Sequence, residues 1–110
     1  MANTSELLRG HTDTILLAQL ERGDSYGYRL GKAVSEATAG ALELKEATLY
    51  TAFRRLEEAG RITSYWGEEG PGARRRYYSI TQVGREALSE GRRQWESVRD
   101  MLDALLAGKE

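Results

Sequence analysis

The sequence has no cysteine and a single histidine, His11, among its 110 residues. Without thiols there is no disulfide framework and no thiolate metal site, and one imidazole builds a zinc site only with carboxylate help; no metal is expected. Charge of one sign is also lacking. The 16 Lys and Arg against 17 Asp and Glu leave a formal net charge of -1, so bulk basicity does not announce a nucleic-acid binder. Long hydrophobic runs are missing as well: no segment reaches bilayer length, and Met1-Ala2-Asn3-Thr4-Ser5-Glu6 has neither the basic flank nor the apolar stretch of a signal peptide. These absences fit a reducing cytoplasm and no membrane partner. No Ser-His-acid set, phosphate-binding glycine loop or carboxylate pair has supporting context, which argues against an enzyme and against a cofactor.

What is present suits one folded unit. Hydrophobic residues make up 40% and charged residues 30%, enough to bury a core and stay dissolved. Leu7, Leu8, Ile15, Leu16, Leu17 and Leu20 recur near helical spacing and stop before Arg22-Gly23-Asp24, which marks a first helix. Ser25 is placed to cap a second, with Tyr26, Leu30, Ala33, Val34 and Ala37 on one face and Gly40 as its end. Leu42-Glu43-Leu44 reads as a small strand or an extended linker before a third helix from Lys45 to Ala59, closed by Gly60. Arg61 to Glu68 and Ala73 to Ile80 read as strands around Gly67, Gly70, Pro71 and Gly72, and Thr81 caps a long last helix reaching Leu106. The order predicts a mostly α (α+β) chain: a winged helix-turn-helix over residues 1–80 with an added C-terminal dimerisation helix over 81–110, in one compact unit.

On the third helix Leu49, Phe53 and Leu56, with Ala52 beside them, share one side at about 100° per residue and must pack inward. Thr51 and Arg54 then point most directly outward, with Lys45, Thr48, Tyr50 and Arg55 at the start or flanks. Arg forks onto guanine edges or phosphates, Lys neutralises phosphate, and Thr and Tyr hydroxyls bond phosphate oxygens, so this face suits the major groove of double-stranded DNA. Glu46, Glu57 and Glu58 on the same helix also fit an ordinary solvated face. The hairpin favours DNA, because Arg74, Arg75 and Arg76 follow its glycine-rich tip, where a wing meets the backbone or minor groove. Strand alternation sends Arg75 and Tyr77 one way and Arg74, Arg76, Tyr78 and Ile80 the other. At least one arginine is expected on phosphate, another on Glu68 or Glu69. Tyr65, Trp66, Tyr77 and Tyr78 are read as cross-strand packing. A winged helix that binds protein through Tyr50, Tyr65 and Trp66 is the competing reading.

The last helix would span roughly 40 Å at about 1.5 Å per residue, too long for so small a domain to bury. Its stripe of Leu88, Trp95, Val98, Leu102 and Leu105 calls for a partner, and Gly84 and Gly91 allow close helix approach, so a two-fold homodimer through Leu88, Gly91, Trp95, Val98, Leu102 and Leu105 is expected. Two reading helices one DNA turn apart would then recognise a palindrome.

Four blocks resemble the PadR-type transcriptional regulators: Leu7-Leu8-Arg9-Gly10; Tyr26-Gly27-Tyr28; Ala47-Thr48-Leu49-Tyr50 with Arg54-Arg55-Leu56-Glu57; and Arg75-Arg76-Tyr77-Tyr78-Ser79-Ile80-Thr81 leading through Gly84. Tyr65-Trp66-Gly67-Glu68-Glu69 and Trp95 look most like the family's short, multidrug-sensing branch. The resemblance implies a dimeric repressor released from its operator by a small planar aromatic compound, with phenolic-acid sensing as the alternative. It implies a ligand site where Trp95 and its symmetry mate sandwich the compound, with Leu7, Leu8, His11, Thr14, Arg92 and Arg99 around it. Arg92 departs from an apolar position and Arg99 from an acidic one, which speaks against cationic drugs.

Overall fold

The computed structural model describes residues 8–68 and 74–108 and runs in the expected order. A 3-10 turn at Arg9–His11 leads into α1 (Thr12–Glu21), followed by β1 (Ser25–Tyr26), α2 (Gly27–Ala37), α3 (Glu46–Glu58), β2 (Ile62–Glu68), β3 (Arg74–Ile80) and α4 (Gln82–Leu106). The expected helix start at Leu7 and the turn at Gly70, Pro71 and Gly72 lie outside the described residues.

The apolar periodicities become the core. Leu16, Leu17 and Leu20 of α1, Leu30 of α2, and Phe53 and Leu56 of α3 close over Ile62, Tyr78 and Ile80 of the sheet. Phe53 stacks on Tyr78 with ring centres 4.1 Å apart, which presses α3 directly against the hairpin. At the end of α3, Arg61 N–H donates to Leu56 O at 2.9 Å with Gly60 at φ +74°, a left-handed stop that suits glycine. Thr81 caps α4 as expected, its hydroxyl accepting from Gly84 N–H at 3.0 Å and donating to Gly60 O at 2.7 Å.

One expectation is corrected. Ser25 does not cap α2: Ser25 and Tyr26 pair antiparallel with Tyr78 and Tyr77, making a third strand in the order β1-β3-β2. Backbone pairing across the sheet claims the segment, and the Ser25 hydroxyl accepts from Arg29 Nε at 3.0 Å instead. Of the two readings left open for Leu42-Glu43-Leu44, the structure has the linker, and it buries Leu42.

The last helix is used differently from the expected stripe. Leu88 is 1% exposed and belongs to the chain's own core, leaving no surface for a partner. The small residues serve contacts within the chain too: a Cβ on Gly84 would lie 2.1 Å from Arg61 O, and one on Gly91 would lie 2.5 Å from Thr14 Oγ1. Both glycines therefore admit close approach within the chain, of the α3–β2 connection and of α1 respectively. Beyond Gly91 every described residue is exposed. Past its contacts at Arg92 and Trp95 this half extends away from the domain: the Cα radius of gyration is 16.0 Å and the longest extent 64 Å, against about 13 Å for a compact chain of this length.

Candidate nucleic-acid interface

The outward side of α3 is open where alternation of buried and exposed positions put it. Lys45, just ahead of the helix, and Thr48, Thr51 and Arg54 are exposed, and none of the described side chains forms an ion pair with Lys45 or Arg54. Thr48, Thr51 and Arg55 line one shallow depression with Ala47, and Arg9 and Thr12 bound it from the chain before and at the start of α1. Arg55 is not free to leave it: Nε donates to Asp13 Oδ2 at 3.1 Å and Nη2 to Oδ1. That hydrogen bond outweighs a smaller desolvation effect and raises the guanidinium pKa further. Arg55 thus fastens the reading helix to α1 and only secondarily offers charge outward.

Tyr50 leans against Phe53, ring centres 5.7 Å apart and nearly perpendicular, so its hydroxyl lies over Gly27, where an added Cβ would sit 3.2 Å away. Gly27 lies in a cleft lined by Tyr50, Tyr26, Tyr28, Trp66 and the three wing arginines. Site residues far apart in sequence come together here: one from the reading helix and three from the wing. The arginines divide as alternation predicts. Arg75 lies 4.7 Å from the Tyr26 ring centre, while Arg74 and Arg76 lie 5.1 and 5.8 Å from that of Trp66. Arg76 also reaches Ser64 and Glu57. Glu57 is its described acidic partner; the expected partners Glu68 and Glu69 have side chains outside the described ones.

Tyr65, Tyr77 and Tyr78 are packing residues as read. Tyr65 stacks on Tyr77 at 5.6 Å and donates to Asp24 Oδ2 at 2.6 Å, a hydrogen bond that holds its phenol above the ordinary pKa. Trp66, read above as cross-strand packing, and Tyr28, quoted only in the family resemblance, both stand exposed. Trp66 is 54% exposed and shares its sheet face with Arg74 and Arg76, and Tyr28 is 75% exposed at the start of α2. Counting alternation outward from buried Ile62 and Ile80 through the strand register would have placed Trp66 beside those arginines.

Of the residues expected around a ligand, His11, Thr14, Arg92 and Trp95 lie where the start of the chain and α1 meet α4, whereas Leu8 lines a depression with Leu42, Leu44 and Thr48. His11 meets Trp95 edge to face with centres 5.7 Å apart, and Trp95 remains 44% exposed. Thr14 sits under Gly91, Arg92 pairs with Glu21 of α1 at 3.1 Å, and Arg99 pairs with its neighbour Asp100 at 3.4 Å. Leu8 is half-buried, and Leu7 lies outside the described residues. Among the described residues no group of three or more His, Asp or Glu side chains is placed to hold a metal, and no helix is long and apolar enough to cross a membrane.

Three packed helices, the third with an open polar face beside an arginine-bearing hairpin, define a winged helix-turn-helix DNA-binding regulator. Residues 16–90 match the transcriptional regulator PadR-like family, and the chain belongs to that family. A transcriptional regulator from Clostridium thermocellum, Cth-833, superposes with a TM-score of 0.86 at 41% identity, covering 93% of this chain and 99% of that one. The PadR family transcriptional regulator of Eggerthella lenta gives 0.83 at 34% identity over 96% and 90% of the two chains. Among curated relatives, an uncharacterized protein of Lysinibacillus sphaericus is 39% identical over 96% of this chain and 97% of its own length. Transcriptional regulator YqjI of Escherichia coli is 29% identical over 90% of this chain, which spans 46% of that protein.

Proposed function

We propose that the chain acts as a repressor, a homodimer on a palindromic operator, released by a small planar aromatic compound bound beside Trp95. Residues 1–80 read DNA, and residues 81–110 hold two copies together. The observation that carries the dimer is the outer half of α4, where Trp95, Val98, Met101, Leu102, Leu105 and Leu106 stay exposed on a helix that its own domain cannot cover. A two-fold contact along that stripe would hide it and fix the distance between two α3 helices. In each half-site Thr51 and Arg54 face base edges, Lys45 and Thr48 flank them, and Tyr50, Arg74 and Arg75 grip the backbone across the cleft. The His11–Trp95 contact, which leaves Trp95 44% exposed, supports an aromatic ligand there.

A mobility-shift titration on DNA upstream of the gene, with random competitor and increasing salt, tests the reading. A specific complex that weakens steeply with salt and dissociates on adding a planar aromatic dye is expected. No complex even at low salt refutes it. If DNA binds but no dye quenches Trp95 in a Trp66→Phe background, the effector half alone falls.

A further inference from the structure

The structure treats the three wing arginines unequally. Arg74 is described only against the Trp66 ring, a contact that leaves guanidinium edges able to donate, and Arg75 lies over the Tyr26 ring. Arg76 is committed elsewhere. Its Nε and Nη2 both donate to Ser64 Oγ, at 3.1 and 2.8 Å, and Nη2 stands 3.6 Å from Glu57 Oε2. The Ser64 hydroxyl then donates to Glu57 Oε2 at 2.6 Å. A hydroxyl has one proton and two lone pairs, and here all three are used.

This bridge joins both wing strands to the last turn of α3, since Ser64 lies on β2, Arg76 on β3 and Glu57 on the reading helix. It has two physical effects. It fixes the angle between the wing and the helix that reads bases, and it sets a carboxylate against one arginine that would otherwise add to sequence-independent attraction for phosphate. Phosphate contacts bind every sequence alike, so withholding one lowers affinity for wrong DNA, while a rigid geometry favours the DNA that fits both elements.

Resting on the DNA-binding reading above, we propose that Glu57, Ser64 and Arg76 are positioning residues for specificity, and that Glu57 holds Arg76 back from the phosphate backbone. The test uses the full chain, a random-sequence duplex, and a duplex that the wild-type protein selects from a random pool, with affinities followed by fluorescence anisotropy across salt. Glu57→Gln keeps the shape and removes the charge. It should bind the random duplex severalfold tighter, steepen the log-log salt slope by about 0.9, the value of one added phosphate contact, and lower the ratio of selected to random affinity. Arg76→Met should lower that ratio with the salt slope unchanged, whereas Arg74→Ala should flatten the slope by about 0.9. The inference is overturned if Arg76→Met flattens the slope as Arg74→Ala does while Glu57→Gln changes neither affinity. Should Arg76→Met fail to fold by circular dichroism, the isosteric Glu57→Gln and the small Ser64→Ala, expected to move affinities the same way, decide alone. If the wild-type chain binds neither duplex at low salt, the DNA-binding reading itself falls, an outcome distinct from all of these.

Discussion

Arg55 and Asp13 stand 42 residues apart in the chain and share two hydrogen bonds, one of 3.1 Å from Nε to Oδ2. The pair ties the last turn of the reading helix to the start of α1, across a depression that also holds Thr48 and Thr51. Because the Arg55 side chain is half-exposed, the link steers the helix more than it stabilises the fold.

Asp13→Asn should therefore cost no more than about 1 kcal/mol in urea unfolding. A double-mutant cycle with Arg55→Met should give a coupling of about 0.5 kcal/mol at low salt that fades near 1 M salt, where the Debye length is about 3 Å. A coupling that ignores salt would mean packing, not charge, holds the pair.

Gly91→Ala should destabilise by about 1–2 kcal/mol, because its Cβ would meet Thr14 Oγ1 at 2.5 Å and Thr14 Cγ2 at 2.9 Å. Thr14→Ala in the same chain should recover most of that loss. Gly84→Ala admits no such rescue, since the obstacle 2.1 Å away is the Arg61 carbonyl oxygen. Thermal melts of the three variants check the order.

Leu102→Asp combined with Leu105→Asp should leave the helical signal intact and shift the sedimentation coefficient to that of a monomer, because both side chains are exposed on the outer half of α4. Leu88→Ala should act on folding, costing about 2–5 kcal/mol, since Leu88 fills the core. A folded dimer that survives the double aspartate change would place the partner surface elsewhere.

Burial raises the pKa of the Tyr78 phenol above its ordinary value, with Arg76 opposing the shift. The folded state thus favours the neutral ring. Its contribution to stability is whole below the unfolded pKa near 10 and is lost as pH rises through the higher folded value. Tyr78→Phe should show a shallower loss of stability above about pH 10 than the wild type. Parallel alkaline melting curves would exclude Tyr78 as the source.

The order of elements was legible because helical and strand periods differ, and Leu49, Phe53 and Leu56 could only lie on one side of a helix. Strand β1 was not legible: two residues have no period, and their pairing with Tyr77 and Tyr78 depends on the finished hairpin. The apolar stripe of α4 was read as continuous, yet Leu88 faces inward and Leu102 outward, because helix length shows that a surface is apolar but not where the domain ends. The commitments of Arg55 to Asp13 and of Arg76 to Ser64 and Glu57 were equally hidden, since each needs the tertiary fold to bring its partners close. The sheet face of Trp66 follows from alternation, but its place beside Arg74 and Arg76 also needs the register of the two strands.

The Thr81 hydroxyl accepts from Gly84 and donates to Gly60, so one side chain joins the end of the reading helix to the start of α4. With Gly84 seated on the Arg61 carbonyl, that joint has little play. The long helix is therefore held at a fixed angle to the wing and the reading helix. Because the unit turns as one rigid body, a tilt of about 10° displaces the far end of a helix about 37 Å long by about 6 Å, so a small change at that end is carried whole to the DNA-facing elements.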